Sequence, residues 1–187
     1  HSSFRMGGVG AARSTNHYFA LLVMNTILGG SFTSRLNQNL REEKGYTYGA
    51  GSSFALRREP GPFTARAEIV SAKTDSALVE FIGELRGVLD TVPQDELSKA
   101  KRYLQLQLPG DFETTRDIAG QLSPLVLHGL PLDYYDSYVQ RIDAVTQEDV
   151  RRVAGRYIDP SHLAIVIVGD RATIEPLYRY VSRNCGG

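Results

Sequence analysis

The sequence predicts an α+β fold: a two-layer domain whose mostly antiparallel sheet is covered on one side by helices. Three observations carry this. Two alternating strand patterns flank the turn Arg57-Arg58-Glu59-Pro60-Gly61-Pro62, which makes them an antiparallel hairpin. A long block of helical periodicity then precedes one further apolar strand. The resulting order is strand, helices, hairpin, helical block, strand, helix, and it lacks the regular alternation of a doubly wound sheet. At 187 residues the chain fits a single domain, 1–187, with ample core, and it shows no repeat, low-complexity tract or linker.

The elements follow in chain order. Residues 3–9 form a short strand before the glycine-bearing loop at Gly10. Tyr18 to Leu28 is apolar on nearly all sides, which predicts a largely buried helix. Gly29-Gly30 ends it, and Phe32, Leu36 and Leu40 recur every four residues to give the next helix a narrow apolar stripe. Gly45 is a left-handed stop. In the first hairpin strand Tyr46, Tyr48, Ala50, Ser52 and Phe54 alternate with Thr47, Gly49, Gly51 and Ser53, so one face is small and admits close approach of another backbone. In the second, Phe63, Ala65, Ala67 and Ile69 share the inward face.

The helical block opens with Ala77, Leu78, Phe81, Ile82, Leu85, Val88 and Leu89 on one face. Pro93 stands just inside the start of the next helix, with Leu97, Ala100 and Leu104 inward. Asp111 caps a helix that runs to His128-Gly129, and a shorter one carries Tyr134, Tyr135, Tyr138 and Ile142, read as packing residues. Thr146-Gln147-Glu148-Asp149 resembles a capping box. Residues 163–168 are apolar on both faces, which places this last strand inside the sheet. Gly169-Asp170 turns into a closing helix.

Composition excludes several functions. With 21 basic and 21 acidic residues the formal charge is zero, which gives no electrostatic footprint for nucleic acid or an anionic membrane. No apolar run approaches the roughly 20 residues of a transmembrane helix, and no signal peptide is visible. Cys185 is the single cysteine, so disulfides and cysteine-based metal sites are excluded. The four histidines, His1, His17, His128 and His162, are scattered, and neither His-Glu-x-x-His nor its inverse is present. Gly7-Gly8-Val9-Gly10 lacks the dinucleotide fingerprint.

One pair stands out. The junction Leu40 to Tyr48 reads as helix end, glycine stop and strand start, which sets the Arg41 guanidinium and the Tyr48 phenol side by side at one end of the sheet. A fixed cation beside a phenolic donor suits a substrate carbonyl or a developing oxyanion. Arg35, by contrast, reads as structural, pairing with a carboxylate under the sheet, and Lys44 as a solvated turn residue.

The run Leu28-Gly29-Gly30-Ser31-Phe32-Thr33-Ser34-Arg35-Leu36, followed by Leu40-Arg41-Glu42-Glu43-Lys44-Gly45-Tyr46-Thr47-Tyr48, resembles the pitrilysin and mitochondrial processing peptidase family of zinc peptidases. Members carry an inverted His-x-x-Glu-His motif in one half, and an arginine and a tyrosine with the spacing of Arg41 and Tyr48 in the other. The resemblance implies that this chain is the half without zinc: a C-terminal domain or the non-zinc subunit of a pair. It further implies a homologous zinc-bearing domain or subunit as partner, Zn in that partner and none in this chain, and a peptide substrate. Arg41 and Tyr48 are then the catalytic and substrate-binding residues, supporting substrate and oxyanion. A catalytically inactive structural subunit of a larger complex is the alternative. The resemblance is compatible with a bacterial periplasm or cell envelope.

Overall fold

The computed structural model describes residues 1–175. Within them four strands, β1 (Ser2–Val9), β2 (Thr47–Phe54), β3 (Pro62–Ile69) and β4 (Ala164–Val168), form one antiparallel sheet in the order β2-β3-β1-β4. Strand alternation divides its two faces. Phe4 and Met6 of β1 and Phe63, Ala65, Ala67 and Ile69 of β3 are buried against helices, whereas Arg5, Arg66 and Glu68 point to the open side. The α+β, one-side-covered architecture is as the sequence predicts.

The helical layer begins with α1 (Tyr18–Asn25), which continues into a π turn, Thr26–Gly30. The short α2 (Arg35–Asn37) likewise continues into a π turn, Gln38–Glu43. Then come α3 (Thr74–Asp90), α4 (Gln94–Gln107), α5 (Thr115–His128), α6 (Tyr138–Asp143) and α7 (Gln147–Tyr157). Leu21, Met24 and Leu28 from the first helix, Leu36 and Leu40 from the second, and Phe81, Leu85 and Val88 from α3 fill the interlayer space. The Phe4 and Phe81 rings meet across it at 4.9 Å. Each fully buried large side chain of this kind contributes about 1.5–3 kcal/mol.

Several expectations are corrected. β4 is an edge strand, paired only with β1. Ile165 and Ile167 lean towards the core side, while Val166 and Val168 are exposed on the open side. An apolar run normally signals cover on both faces, and among the described residues nothing provides the outer cover. Phe32 is 63% exposed and precedes the second helix, so only Leu36 and Leu40 remain of the stripe. The cap of α5 is Thr114, not Asp111: Thr114 and Asp117 exchange bonds in a capping box, and Asp111 lies in a preceding 3₁₀ turn. Pro93 sits at the N-cap of α4, one residue outside the helix. The capping box at Thr146 and Asp149 is present as expected. Residues 171–175 are helical, and the rest of the expected closing helix, with Cys185, falls outside the described residues.

Candidate functional site

The segment from Asn25 to Tyr48 folds back along β2 and is fastened to it step by step. Gly29 packs directly on the strand: a β-carbon there would overlap the Ser52 backbone nitrogen and stand 2.5 Å from its Oγ. The Ser52 hydroxyl donates to Asn25 Oδ1 at 2.8 Å. Further along, Gly45 turns the chain with φ +63°, a conformation that suits glycine. The Tyr46 amide then donates to the Leu40 carbonyl at 2.8 Å. The small residues of β2 thus do admit a second backbone, that of the Gly29–Gly30 corner.

Arg41 lies in the second π turn, half-buried, with its guanidinium 4.2 Å from the centroid of the Phe32 ring and 3.5 Å from a Glu42 carboxylate oxygen. π turns insert a residue into a helix and re-aim the side chains that follow, and they are frequent at functional sites. Tyr48 is 85% exposed, and its nearest ring partner is His1, at 6.0 Å between centroids.

The exposure of Tyr48 departs from the simple alternation, which places it on the face of Ala50 and Ser52. The cause is a β-bulge. Thr47 pairs with Ile69 and Ala50 with Ala67, so three steps on β2 match two on β3. Thr47 is therefore buried and Tyr48 is turned out. Two side chains satisfy amides of the bulge. Thr47 Oγ1 accepts from the Gly49 amide at 3.1 Å while donating to the Glu68 carbonyl at 2.7 Å. Asn37 Oδ1 accepts from the Ala50 amide at 2.9 Å. Sequence reasoning missed both Asn37 and Thr47, because a bulge is set by register and leaves no local spacing signal.

A polar network underpins the helix that carries Arg41. Arg35 Nε donates to Glu96 of α4 at 2.8 Å and its Nη2 to the Thr91 carbonyl at 2.9 Å, the structural carboxylate pairing expected of it. The Asn39 amide nitrogen donates to both Glu80 and Glu84 of α3, at 2.9 and 2.7 Å. Lys44 is the exposed turn residue expected, and it also pairs with Glu80 at 3.1 Å. The Asn39 bond, with help from Lys44, holds the Glu80 carboxyl below its ordinary range, whereas burial pushes that of Glu84 up. A cleft of about 380 Å³ opens beside this network, bordered by Arg35, Glu84, Glu96, Lys99 and Tyr103. Neither Arg41 nor Tyr48 lines it.

No hydrogen bond joins Arg41 to Tyr48; the two reach solvent separately from one helix–strand junction. Among the described residues no three His, Cys, Asp or Glu side chains converge as a metal site. His17 faces the Tyr157 hydroxyl at 3.2 Å and His162 the Asp159 carboxylate at 2.6 Å, far apart in the chain and on different elements. His128 ends α5 beside Gly129, whose φ is +63°.

Known proteins resemble most of this chain. Residues 2–104 match the family model described as "Peptidase M16 inactive domain". An uncharacterized zinc protease of Streptomyces coelicolor is 30% identical over 150 residues, which are 80% of this chain and 33% of that protein. The chain thus spans about a third of the length of such relatives. A peptidase M16 inactive domain from Pseudomonas fluorescens superposes with a TM-score of 0.81 at 28% identity, over 89% of this chain and 40% of the other. The inactive peptidase domain of a zinc protease from Bordetella parapertussis superposes at 0.75 with 18% identity, over 90% and 92% of the two chains, and shows the shared fold.

Proposed function

The chain belongs to the peptidase M16 inactive-domain family, and we propose that it is the substrate-clamping, non-zinc half of a zinc metalloendopeptidase acting on peptides or unfolded segments. The observation that carries this reading is the Arg41–Tyr48 junction: a half-buried cation and an exposed phenol presented from one helix–strand junction, with no cluster of metal-ligating side chains among the described residues. Such a pair is incomplete alone and becomes useful when a second body closes over it. A homologous half is the partner that fits, and zinc bound there would supply a water acidified to a pKa of roughly 7.

On this side the chemistry is electrostatic. Arg41 offers a permanently charged, planar donor to substrate carbonyls or to the oxyanion, its guanidinium held between the Phe32 ring and the Glu42 carboxylate. Tyr48 offers a hydroxyl donor from an exposed position that no internal partner occupies. Dividing donors and hydrolytic machinery between two bodies makes the reaction depend on closure. The presence of both residues favours this reading over a purely structural subunit, in which neither would be needed.

The test uses the full-length protein together with its zinc-bearing half and a fluorogenic peptide. Arg41→Ala and Tyr48→Phe should each lower kcat/KM by about 100-fold or more, as lost oxyanion donors do, with stability unchanged. Wild-type kcat/KM in both variants would sink the assigned roles. Stoichiometric zinc bound by this half alone would sink the division of labour.

A further inference from the structure

We infer that Asn37 is a positioning residue that fixes the spatial relation between Arg41 and Tyr48. This rests on the reading that those two side chains act on one substrate. Asn37 closes α2, directly before the π turn that carries Arg41. Its side chain is 8% exposed, and both ends of its amide are engaged. Nδ2 donates to the Ser31 carbonyl at 3.2 Å, and Oδ1 accepts from the Ala50 amide at 2.9 Å.

These two bonds join three pieces of backbone that carry the candidate site. Ser31 follows the Gly29–Gly30 corner and precedes Phe32, on which the Arg41 guanidinium rests. Ala50 is the residue at which the ladder between β2 and β3 regains its register after the bulge that turns Tyr48 outward. Asn37 itself moves with Arg41, four positions on, one helical turn away. One buried amide therefore ties the Phe32 support, the Arg41 helix and the Tyr48 bulge to one another. Thr47, inside the bulge, completes the arrangement by holding the Gly49 amide. Without the Asn37 acceptor the Ala50 amide is buried with no partner, and the bulge is free to relax towards regular pairing. A regular strand would carry Tyr48 to the opposite face, because a slip of one residue reverses every side chain.

The geometry also says which substitutes can serve. The site wants a donor towards Ser31 and an acceptor towards Ala50 in one planar group. A protonated aspartic acid meets both demands, whereas an aspartate meets only the second and faces the Ser31 carbonyl with a negative charge. Asn37→Asp should therefore keep both bonds in mild acid and only the Ala50 bond at neutral pH, a dependence the wild type lacks at this position.

The test has two arms on the full-length protein with its zinc-bearing half. The first is amide hydrogen exchange over residues 47–51, which needs no activity. Asn37→Ala should speed exchange there at least about tenfold, while the β1–β3 ladder stays protected, and Asn37→Asp, which keeps the Ala50 acceptor, should leave it close to wild type. Unchanged exchange in Asn37→Ala would overturn the proposal outright. The second arm is peptide cleavage. Asn37→Ala should lower kcat more than it raises KM, and adding Tyr48→Phe to it should cost far less than Tyr48→Phe costs in the wild type. Full additivity of the two substitutions would show that Asn37 does not act through Tyr48. If Arg41→Ala and Tyr48→Phe are themselves silent while exchange at 47–51 rises, the clamp reading fails, and the positioning role falls with it.

Discussion

Gly29 and Ser52 touch backbone to backbone: no β-carbon fits between the helix corner and the strand. This contact sets the distance between the helical arm that bears Arg41 and the strand that bears Tyr48. Gly29→Ala should therefore destabilise the protein by about 1–3 kcal/mol, the range for overpacking a close interface. Gly83, on α3, has open space where its β-carbon would go. Gly83→Ala should stabilise by about 0.5–1 kcal/mol, as glycine in a helix interior costs that much relative to alanine. Urea unfolding of both variants should give midpoint shifts of opposite sign. A neutral Gly29→Ala would mean that the corner does not bear on β2.

Arg35 anchors the same arm at its other end. Its guanidinium is 13% exposed, and it serves a carboxylate and a carbonyl at once. Removing one partner of a fully buried pair costs about 3–5 kcal/mol and of a surface pair about 0–1. The Glu96 side chain is 34% exposed, so an intermediate loss of about 1–3 kcal/mol is expected for Arg35→Ala. Arg35→Lys should recover little of it, because a point charge cannot span Glu96 and Thr91 together. Full rescue by lysine would show that charge alone holds the arm.

Asn39 between Glu80 and Glu84 gives the network a pH signature. Burial raises the Glu84 carboxyl above its ordinary 4.5, so its ionisation opposes folding. The penalty is absent in acid, grows as pH rises from that ordinary value through the folded pKa, and is constant above it. Glu84→Gln keeps an acceptor for Asn39 and removes the charge. It should raise Tm near neutral pH, with the gain vanishing below about pH 4. Glu80 has the opposite sign: its lowered pKa contributes stability above its ordinary 4.5, lost as pH falls through the folded value. Glu80→Gln should lower Tm at neutral pH, and the two variants' curves should converge in acid. Parallel curves would mean that neither carboxyl's ionisation is coupled to folding.

Much of this was legible in the sequence, for identifiable reasons. The alternation in β3, the helical face of α3 and the Gly45 stop are local patterns, and each survives because tertiary packing uses the face that periodicity exposes. Long-range pairing decides what local pattern cannot. The place of β4 at the edge depends on which strand β1 meets, and nothing within 163–168 encodes it. The outward turn of Tyr48 depends on one extra residue relative to β3, visible only once the register is known. Arg41 and Tyr48 were nameable because their spacing is carried within one junction. Asn37 was not, since its partners lie six residues back and thirteen ahead in different elements.

Phe32 supplies the last prediction, because its ring is largely exposed yet lies against the Arg41 guanidinium, 4.2 Å from ring centroid to cation. A ring exposed to this degree adds little to the core, so Phe32→Ala should leave Tm nearly unchanged. Its effect belongs to Arg41. A cation–π contact at an exposed site is worth about 0.5–1 kcal/mol, which corresponds to a two- to fivefold change in an equilibrium. Without the ring the guanidinium is held by its Glu42 pair alone, at 3.5 Å. Cleavage by the assembled peptidase should then fall about two- to fivefold for Phe32→Ala, while Phe32→Trp, which offers the better π face, should hold or raise it. The same Phe32→Ala change on an Arg41→Ala background should do nothing further, since the ring would have no cation to hold. A loss as large as that of Arg41→Ala itself would instead mean that Phe32 meets the substrate directly, and a loss that persists without Arg41 would say the same.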